Sequence, residues 1–361
     1  MQLPPKGNEN YKTRNKLGTY VGPNRSFKLT RTRAEFFVTR EVSKGSMLDV
    51  KQVLGNNTII VTQTAVQKRA PQVSSQPLGA ARARQMSNSN NPAKLIKDAL
   101  RPAYWFALDT IDRLTGRHDA LTPPRRLIFV GDGSFTTVGR EFFKYFIDLC
   151  GLEPHAHVLD VGCGIGRMAV PLTSYLASGT YEGFDIVPKG IHWCNKKITR
   201  RYPNFRFQIA DIYNKVYNPS GSQQATEYVF PYPNESFDFT FLTSVFTHML
   251  PLDIEHYISE IVRVLKPNGK ALITHFLITQ ESRDLIDRGL STFHFRDSRK
   301  GYWSRSEEDP EQAVGYDERF LVDLYKRHGM SIIQPIHYGS WCGRKQYLSF
   351  QDILITQKSS G

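Results

Sequence analysis

The stretch Val158-Leu159-Asp160-Val161-Gly162-Cys163-Gly164-Ile165-Gly166 constrains this chain more than any other. Its valines and leucine suit a strand covered on both faces. Asp160 comes near the end of that strand, and three glycines at alternate positions then let the backbone turn tightly and approach a ligand where a Cβ would collide. A helix is expected next, from about Arg167 to Leu176, whose first turn offers free amides and a partial positive charge. The spacing argues against the dinucleotide fingerprint Gly-x-Gly-x-x-Gly, because its third glycine falls on Arg167. A nicotinamide-dependent reductase is therefore disfavoured. An ordinary strand-to-helix loop of an α/β protein would also carry such glycines, so the rest of the chain has to decide.

Beyond Gly166 strand-like and helix-like segments alternate, which implies a parallel sheet with right-handed crossovers. Tyr181–Ile186 reads as a second strand with Asp185 at its end, Pro188–Arg200 as a helix, and Phe205–Ile212 as a third strand ending at Asp211. A carboxylate at a strand end can accept from two hydroxyls at once, a task that neutral side chains match poorly. Three aspartates closing three successive strands beside a glycine turn form a far more specific pattern than any one of them. A fourth strand is expected at Phe239–Leu242, a helix at Asp253–Leu265 stopped by Lys266-Pro267-Asn268-Gly269, and a fifth strand at Lys270–Phe276. Gly269 is expected to supply the left-handed turn at that helix end. Tyr316–His328 reads as the last helix, and Ile332–Tyr338 with Ser349–Thr356 as a closing hairpin.

The motif Asp-x-Gly-x-Gly-x-Gly at Asp160–Gly166 resembles the first motif of the class I S-adenosylmethionine-dependent methyltransferases. Phe230-Pro231-Tyr232-Pro233-Asn234-Glu235-Ser236-Phe237-Asp238 resembles the family's lead-in to its fourth strand, and Val264–Lys270 is a further family-like signature. The resemblance spans about residues 131–358. It implies an α/β fold, a Rossmann-like seven-stranded sheet with helices on both faces and a terminal antiparallel hairpin, preceded here by a basic N-terminal extension. It also implies S-adenosylmethionine as methyl donor. Carried over by position, the cofactor edge comprises Asp160, Gly162, Cys163, Gly164 and Gly166, then Asp185 at the ribose and the adjoining Ile186, Asp211 with Ile212 at the adenine, and Thr243 after the fourth strand. In the family the helix before the first strand, here Val138–Leu149, helps to close the cleft, and an insertion at the place of Leu277–Gly315 often covers the substrate. Ser134 is expected to cap that helix.

Charge and composition bound the remainder. Residues 1–130 carry 22 Lys and Arg against 8 Asp and Glu, whereas residues 131–361 carry 25 against 26. The basic character thus belongs to the N-terminal third. Residues 1–33 read as a disordered basic tail and 34–67 as a small β-element, with strands at Phe36–Val38, Val50–Leu54 and Thr58–Val61. Residues 68–91 read as a linker, 92–130 as an accessory helical segment and 131–361 as the methyltransferase domain. The stretch 92–116 combines aromatic and basic residues, so peripheral membrane contact stands beside simple packing on the next domain. Four scattered cysteines favour a reducing compartment and leave no structural zinc spacing. No apolar run reaches the length of a membrane span and Met1–Tyr20 lacks a signal-peptide core, so the expected location is cytoplasmic.

A sulfonium methyl donor is already activated, so the protein's work is to position the acceptor and exclude water. A general base matters where the acceptor is a hydroxyl, and His248, which follows the fourth strand, is the candidate, ahead of His275 and His294. His155 and His157 lack further ligands in register, and no metal is expected. The Asn-Pro-Pro-Tyr-type motif of enzymes that methylate base amines is replaced by Leu242-Thr243-Ser244-Val245. With a near-neutral domain, this favours a small-molecule acceptor such as a sugar, lipid headgroup or other metabolite. An RNA or protein methyltransferase guided by the basic arm, and a non-catalytic binding module, remain the alternatives. The sequence does not fix the oligomeric state.

Overall fold

In the computed structural model the chain divides into two compact units, Met1–Ser89 and Asn90–Gly361. The residues described in the second unit are 108–110, 119–129, 131, 133–297 and 301–360; in the first, only short backbone strands are described. There, Lys28–Arg31, Phe36–Glu41 and Met47–Lys51 form an antiparallel sheet, and Val21–Gly22 pairs with Arg25–Ser26. Strand structure therefore begins inside the stretch read as a tail, in segments of two to four residues whose alternation is too brief to register. The strand expected at Thr58–Val61, the linker 68–91 and most of 92–118 lie outside the described residues.

The second unit is organised on a seven-stranded sheet. In chain order its strands are β1 (His157–Val161), β2 (Thr180–Asp185), β3 (Phe205–Ile209), β4 (Phe237–Leu242), β5 (Leu265–His275), β6 (Met330–His337) and β7 (Asp352–Lys358). Their spatial order is β6-β7-β5-β4-β1-β2-β3. The neighbours from β5 to β3 pair in parallel, and β7 runs antiparallel between β5 and β6. The closing hairpin read from the sequence is therefore present. Because β1 is central, its residues serve both cores: Val158 packs on one face, Leu159 and Val161 on the other, each at most 1% exposed.

Helices cover both faces. On one side α1 (Phe135–Asp148) lays Phe142 and Phe146 on the sheet, with the Phe146 ring centroid 4.4 Å from Phe241 and 5.3 Å from Phe239. Burying such rings stabilises the fold by roughly 1.5–3 kcal/mol each. Ser134 caps α1 by accepting from the Thr137 amide, as its position suggests. Leu121, Leu127, Ile128 and Phe129, which precede the domain start read at 131, join this same core. The short α2 (Ala169–Leu172) and α3 (Pro188–Cys194) lie on this side too. On the other face α4 (Pro251–Val264) buries Ile254, Tyr257, Ile258, Ile261 and Val264 at helical spacing.

Two local expectations are corrected. The helix after the glycine turn is only four residues long, not Arg167–Leu176. Pro171 removes one rung, and past Leu172 the ladder turns irregular, with the Thr173 amide shared between the Ala169 and Val170 carbonyls and the Tyr175 amide reaching Leu172. At the end of α4 the left-handed residue is Asn268, with φ 63°, and not Gly269. Asparagine tolerates that region through its short polar side chain. Gly269 is needed for a different reason, because a Cβ there would stand 2.8 Å from the Lys266 carbonyl oxygen.

The segment between β5 and β6 holds α5 (Gln280–Asp287), α6 (Glu318–Arg327) and a small sheet. In that sheet Leu277–Ile278, Val314–Asp317, Trp303–Ser304 and Arg296–Asp297 lie side by side. Its own core contains Phe276, Phe295 and Trp341, and Trp341 comes from the loop between β6 and β7. Insertion and terminal loop thus fold onto each other.

Candidate active site

The glycine turn sits at the C-terminal edge of β1, and every glycine in it is required by the backbone. Gly162, Gly164 and Gly166 have φ of 80°, 58° and 74°, all in the left-handed region. The turn is held from β2. The Phe184 carbonyl accepts from the Gly162 and Cys163 amides at 2.9 and 3.0 Å. One Asp185 carboxylate oxygen accepts from the Gly164 amide and the other from the Val187 amide, each at 2.8 Å. Asp185 is only 9% exposed, and burial raises its carboxyl from the usual 3.8 to about 6, against the opposing pull of those amides. Each carboxylate oxygen has a second lone pair, so Asp185 can tie the turn and still accept from a ligand.

The other predicted residues distribute around this edge. Ile186 and Thr243 are half-buried beside it, and Ile212 is buried in the core of the α4 face. Asp211 lies two residues past the end of β3, exposed, with its carboxylate accepting from the Ser222 hydroxyl at 2.5 Å. Asp160 lies beneath the turn, 1% exposed, where one oxygen accepts from the Tyr181 hydroxyl at 2.5 Å and the other has no partner. Burial pushes its carboxyl well above the ordinary carboxylate range. The Cys163 side chain is directed at Gly183 of β2, so only its backbone belongs to the turn.

Three glycines that the sequence reading passed over shape the site. A Cβ on Gly183 would stand 3.0 Å from the Cys163 Cβ, one on Gly190 of α3 2.4 Å from the Gly164 carbonyl oxygen, and one on Gly139 of α1 2.5 Å from the Arg167 carbonyl oxygen. Each lets a strand or helix close directly onto the turn. The available signal was glycine inside strand and helix patterns, where it costs stability unless another backbone comes close. Replacing Gly190 with alanine is expected to cost about 1–3 kcal/mol by overpacking. It should also weaken ligand binding at the turn, as denaturant titration and ligand titration of the variant would show.

After β4 the chain turns through Ser244, which has φ 62°, unusual for a non-glycine residue. The Ser244 amide donates to the Thr274 hydroxyl at 2.7 Å, and its own hydroxyl accepts from the Gln351 side chain at 3.0 Å. His248 follows on a short 3-10 turn (Phe246–His248), half-buried, with Nδ1 2.9 Å from the Glu311 carbonyl oxygen. A carbonyl only accepts, so Nδ1 carries the proton and Nε2 the lone pair. Burial lowers the imidazole's pKa and keeps it neutral. The Tyr217 ring stands edge-on to it, with centroids 6.4 Å apart. The other histidines do not share this place. His275 is wholly buried with Nε2 3.0 Å from the Tyr325 hydroxyl and its pKa lowered to about 3, a neutral core residue, while His294 is exposed in the insertion. His155 and His157 lie at the opposite end of β1, and no metal-binding cluster occurs among the described residues.

Comparison with known proteins bears on this geometry. The methyltransferase domain family matches residues 159–273, from β1 to β5, the strands that carry the glycine turn and both flanking edges. The domain belongs to the class I S-adenosylmethionine-dependent methyltransferases. The chain is 32% identical over 112 residues to a phthiotriol/phenolphthiotriol dimycocerosates methyltransferase of Mycobacterium leprae (strain TN), covering 31% of this chain and 34% of that protein. It is 29% identical over 153 residues to phosphoethanolamine N-methyltransferase 3 of Arabidopsis thaliana, covering 40% of this chain and 26% of that one. The chain thus spans about a third or less of these relatives' lengths. Among solved structures it is similar to an S-adenosylmethionine-dependent methyltransferase of Methanosarcina mazei, at TM-score 0.41 and 21% identity over 58% of this chain and 95% of that one. Magnesium protoporphyrin IX methyltransferase of Synechocystis PCC 6803, solved with bound S-adenosylhomocysteine, gives TM-score 0.41 and 17% identity over 65% of this chain and 92% of that one.

The methyltransferase edge fits its donor on its own chemistry. Asp185 and the exposed Asp211 supply acceptors for hydroxyl and amino groups, and half-buried Ile186 offers an apolar surface between them. The glycine turn brings bare backbone to the same place.

Proposed function

We propose that this protein transfers the methyl group of S-adenosylmethionine to a small-molecule acceptor. The observation that carries the reading is the turn of three left-handed glycines tied to the end of β2 by the Asp185 carboxylate. Bound at that edge, the donor supplies an electrophilic methyl carbon on a positively charged sulfur. The chain does the rest. Asp185 fixes the ribose end, Asp211 with the half-buried Ile186 the adenine end, and Gly162 to Gly166 the turn between them. Thr243 and Ser244 border the side from which an acceptor approaches in line with the bond that breaks. The bound donor would give up its methyl carbon to the acceptor and leave the old bonding pair on sulfur, and His248 Nε2, which its Nδ1 contact with Glu311 leaves free, would take the acceptor's proton.

Acceptors of different chemistry test this. Transfer of labelled methyl to hydroxyl- and amine-bearing sugars, headgroups and metabolites is compared with transfer to RNA and protein. For a hydroxyl acceptor, His248→Asn is expected to lower the rate about 10²–10⁴-fold, the usual worth of a positioned base. Donor affinity should stay unchanged, because His248 lies outside the cofactor edge. Equal loss of affinity and rate would assign His248 a structural role. Methylation of RNA or protein alone would move the acceptor to the basic arm's partners.

A further inference from the structure

One surface beside the site is neither core nor cofactor edge. Between β6 and β7 the loop runs Gly343-Arg344-Lys345-Gln346-Tyr347-Leu348-Ser349-Phe350, with no acidic residue. Tyr347, Leu348 and Phe350 are 59, 39 and 45% exposed. At the loop's base the Leu290 carbonyl oxygen lies 2.7 Å from where a Gly343 Cβ would stand, and Leu290 itself is half exposed. Arg288 and Lys345 are exposed beside these apolar side chains.

The loop is held firmly. Trp341 is fully buried beneath it, the Tyr145 hydroxyl of α1 donates to the Leu348 carbonyl at 2.8 Å, and Phe350 packs on Phe293 with ring centroids 6.1 Å apart. The apolar tip therefore cannot retract by simple side-chain motion. It also borders the acceptor side, since Gln351, the next residue, donates to Ser244.

We propose that Lys345–Phe350 is a lipid-surface docking loop that brings a membrane-borne acceptor to the Ser244 edge; the acceptor half of this statement rests on the methyl-transfer reading, the docking half does not. Exposed tyrosine, leucine and phenylalanine on a loop that carries Lys345 and no acidic residue of its own match the boundary between headgroups and acyl chains of an anionic bilayer. A folded protein partner fits less well. At these exposures the four apolar side chains present on the order of 400 Å², given about 150–250 Å² per large aromatic. That is roughly half of the ~800 Å² per partner of a standard interface.

The experiment uses the full chain with Leu348→Cys carrying a polarity-sensitive nitrobenzoxadiazole label. The four native cysteines are buried and stay unlabelled. The label is read against vesicles of phosphatidylcholine with and without phosphatidylglycerol, and S-adenosylhomocysteine binding is titrated on the same protein. The proposal expects brighter, blue-shifted emission with the anionic vesicles. It expects that response to be lost in a second variant adding Tyr347→Ser, Phe350→Ser and Lys345→Glu, with S-adenosylhomocysteine affinity the same in both. Sedimentation with vesicles but no change at the label would mean binding through the basic N-terminal arm and would overturn the proposal. So would a blue shift already present without vesicles, which would place another part of this chain or a second copy on the loop. Failure of S-adenosylhomocysteine binding with an intact vesicle response would instead remove the methyl-transfer reading and leave the docking loop standing.

Discussion

Replacing Asp185 with alanine is expected to lower affinity for S-adenosylhomocysteine by about 100-fold or more, the largest effect on ligand binding expected of any single substitution here. Two hydrogen bonds to a charged acceptor contribute roughly 1.5–3 kcal/mol each, and both would be lost. The same change frees the Gly164 and Val187 amides from their acceptor, so the apo protein is also expected to lose about 1–3 kcal/mol of stability. Asp185→Asn separates the parts, because it keeps the shape and loses the charge. The pH dependence supplies an independent check. The folded-state pKa of Asp185, about 6, lies above its ordinary 3.8. Hydroxyl donors prefer the ionised form, so affinity should be constant above about pH 6 and weaken by up to tenfold per unit below it. In Asp185→Asn this dependence should vanish. The contribution of Asp185 itself to folding cannot mimic it, because that linkage has the opposite sign. A raised folded-state pKa contributes stability that is fully present below the unfolded value of 3.8 and is lost as pH rises through about 6. Calorimetric titration of the three proteins across this range decides the matter.

Asp352→Ala is expected to produce the largest loss of stability. Asp352 is wholly buried at the start of β7, where four donors converge on its two oxygens. The Gly339 amide and Arg344 donate to one at 2.6 and 3.1 Å, and the Leu277 amide and Trp341 indole to the other at 2.7 and 2.6 Å. Those partners come from β5's exit, the terminal loop and β6's exit, so one carboxylate ties insertion to hairpin. Removing it leaves the Arg344 guanidinium, whose side chain is 4% exposed, with only the exposed Glu281 carboxylate as a counter-charge. Breaking a buried pair in this way costs about 3–5 kcal/mol. Chemical denaturation should show that loss, with Asp352→Asn recovering part of it. The docking loop hangs from the same joint, so any vesicle response of the wild-type loop should be disturbed as well.

Neither of these aspartates was equally legible. Asp185 stands at the end of a β-branched and aromatic run, next to a glycine turn of known spacing, and its place on the edge followed from the residues. Its second task, holding the Gly164 amide, did not, because backbone partners across a parallel pair are invisible until the strands are in register. Asp352 carries no local signal at all, since its four donors are scattered from residue 277 to 344 and meet only after the insertion folds.

The same distinction runs through the fold. The strands β1, β2, β4 and β5 were readable from continuous apolar runs and strand-end aspartates, and the reversal at β7 from the last two such runs. The truncated α2 was overestimated because apolar spacing continues to Leu176, whereas the hydrogen-bond ladder past Leu172 is irregular. The glycines at 139, 183 and 190 showed in the sequence only as glycines inside strand and helix patterns, because their function lies in what another element brings against them. His248 was singled out by its place after β4, and its tautomer depends on the Glu311 carbonyl, sixty-three residues away. No helix among the described residues is long and apolar enough to cross a membrane.

The central claim is that the glycine turn and Asp185 form a donor site for methyl transfer, and calorimetric titration of the full chain with S-adenosylmethionine, S-adenosylhomocysteine and NADH tests it most directly. The account predicts saturable binding of both sulfur ligands, of order micromolar, and none of NADH. Binding of NADH, or no heat with either sulfur ligand at concentrations that saturate related sites, would contradict it and reduce the turn to a structural loop.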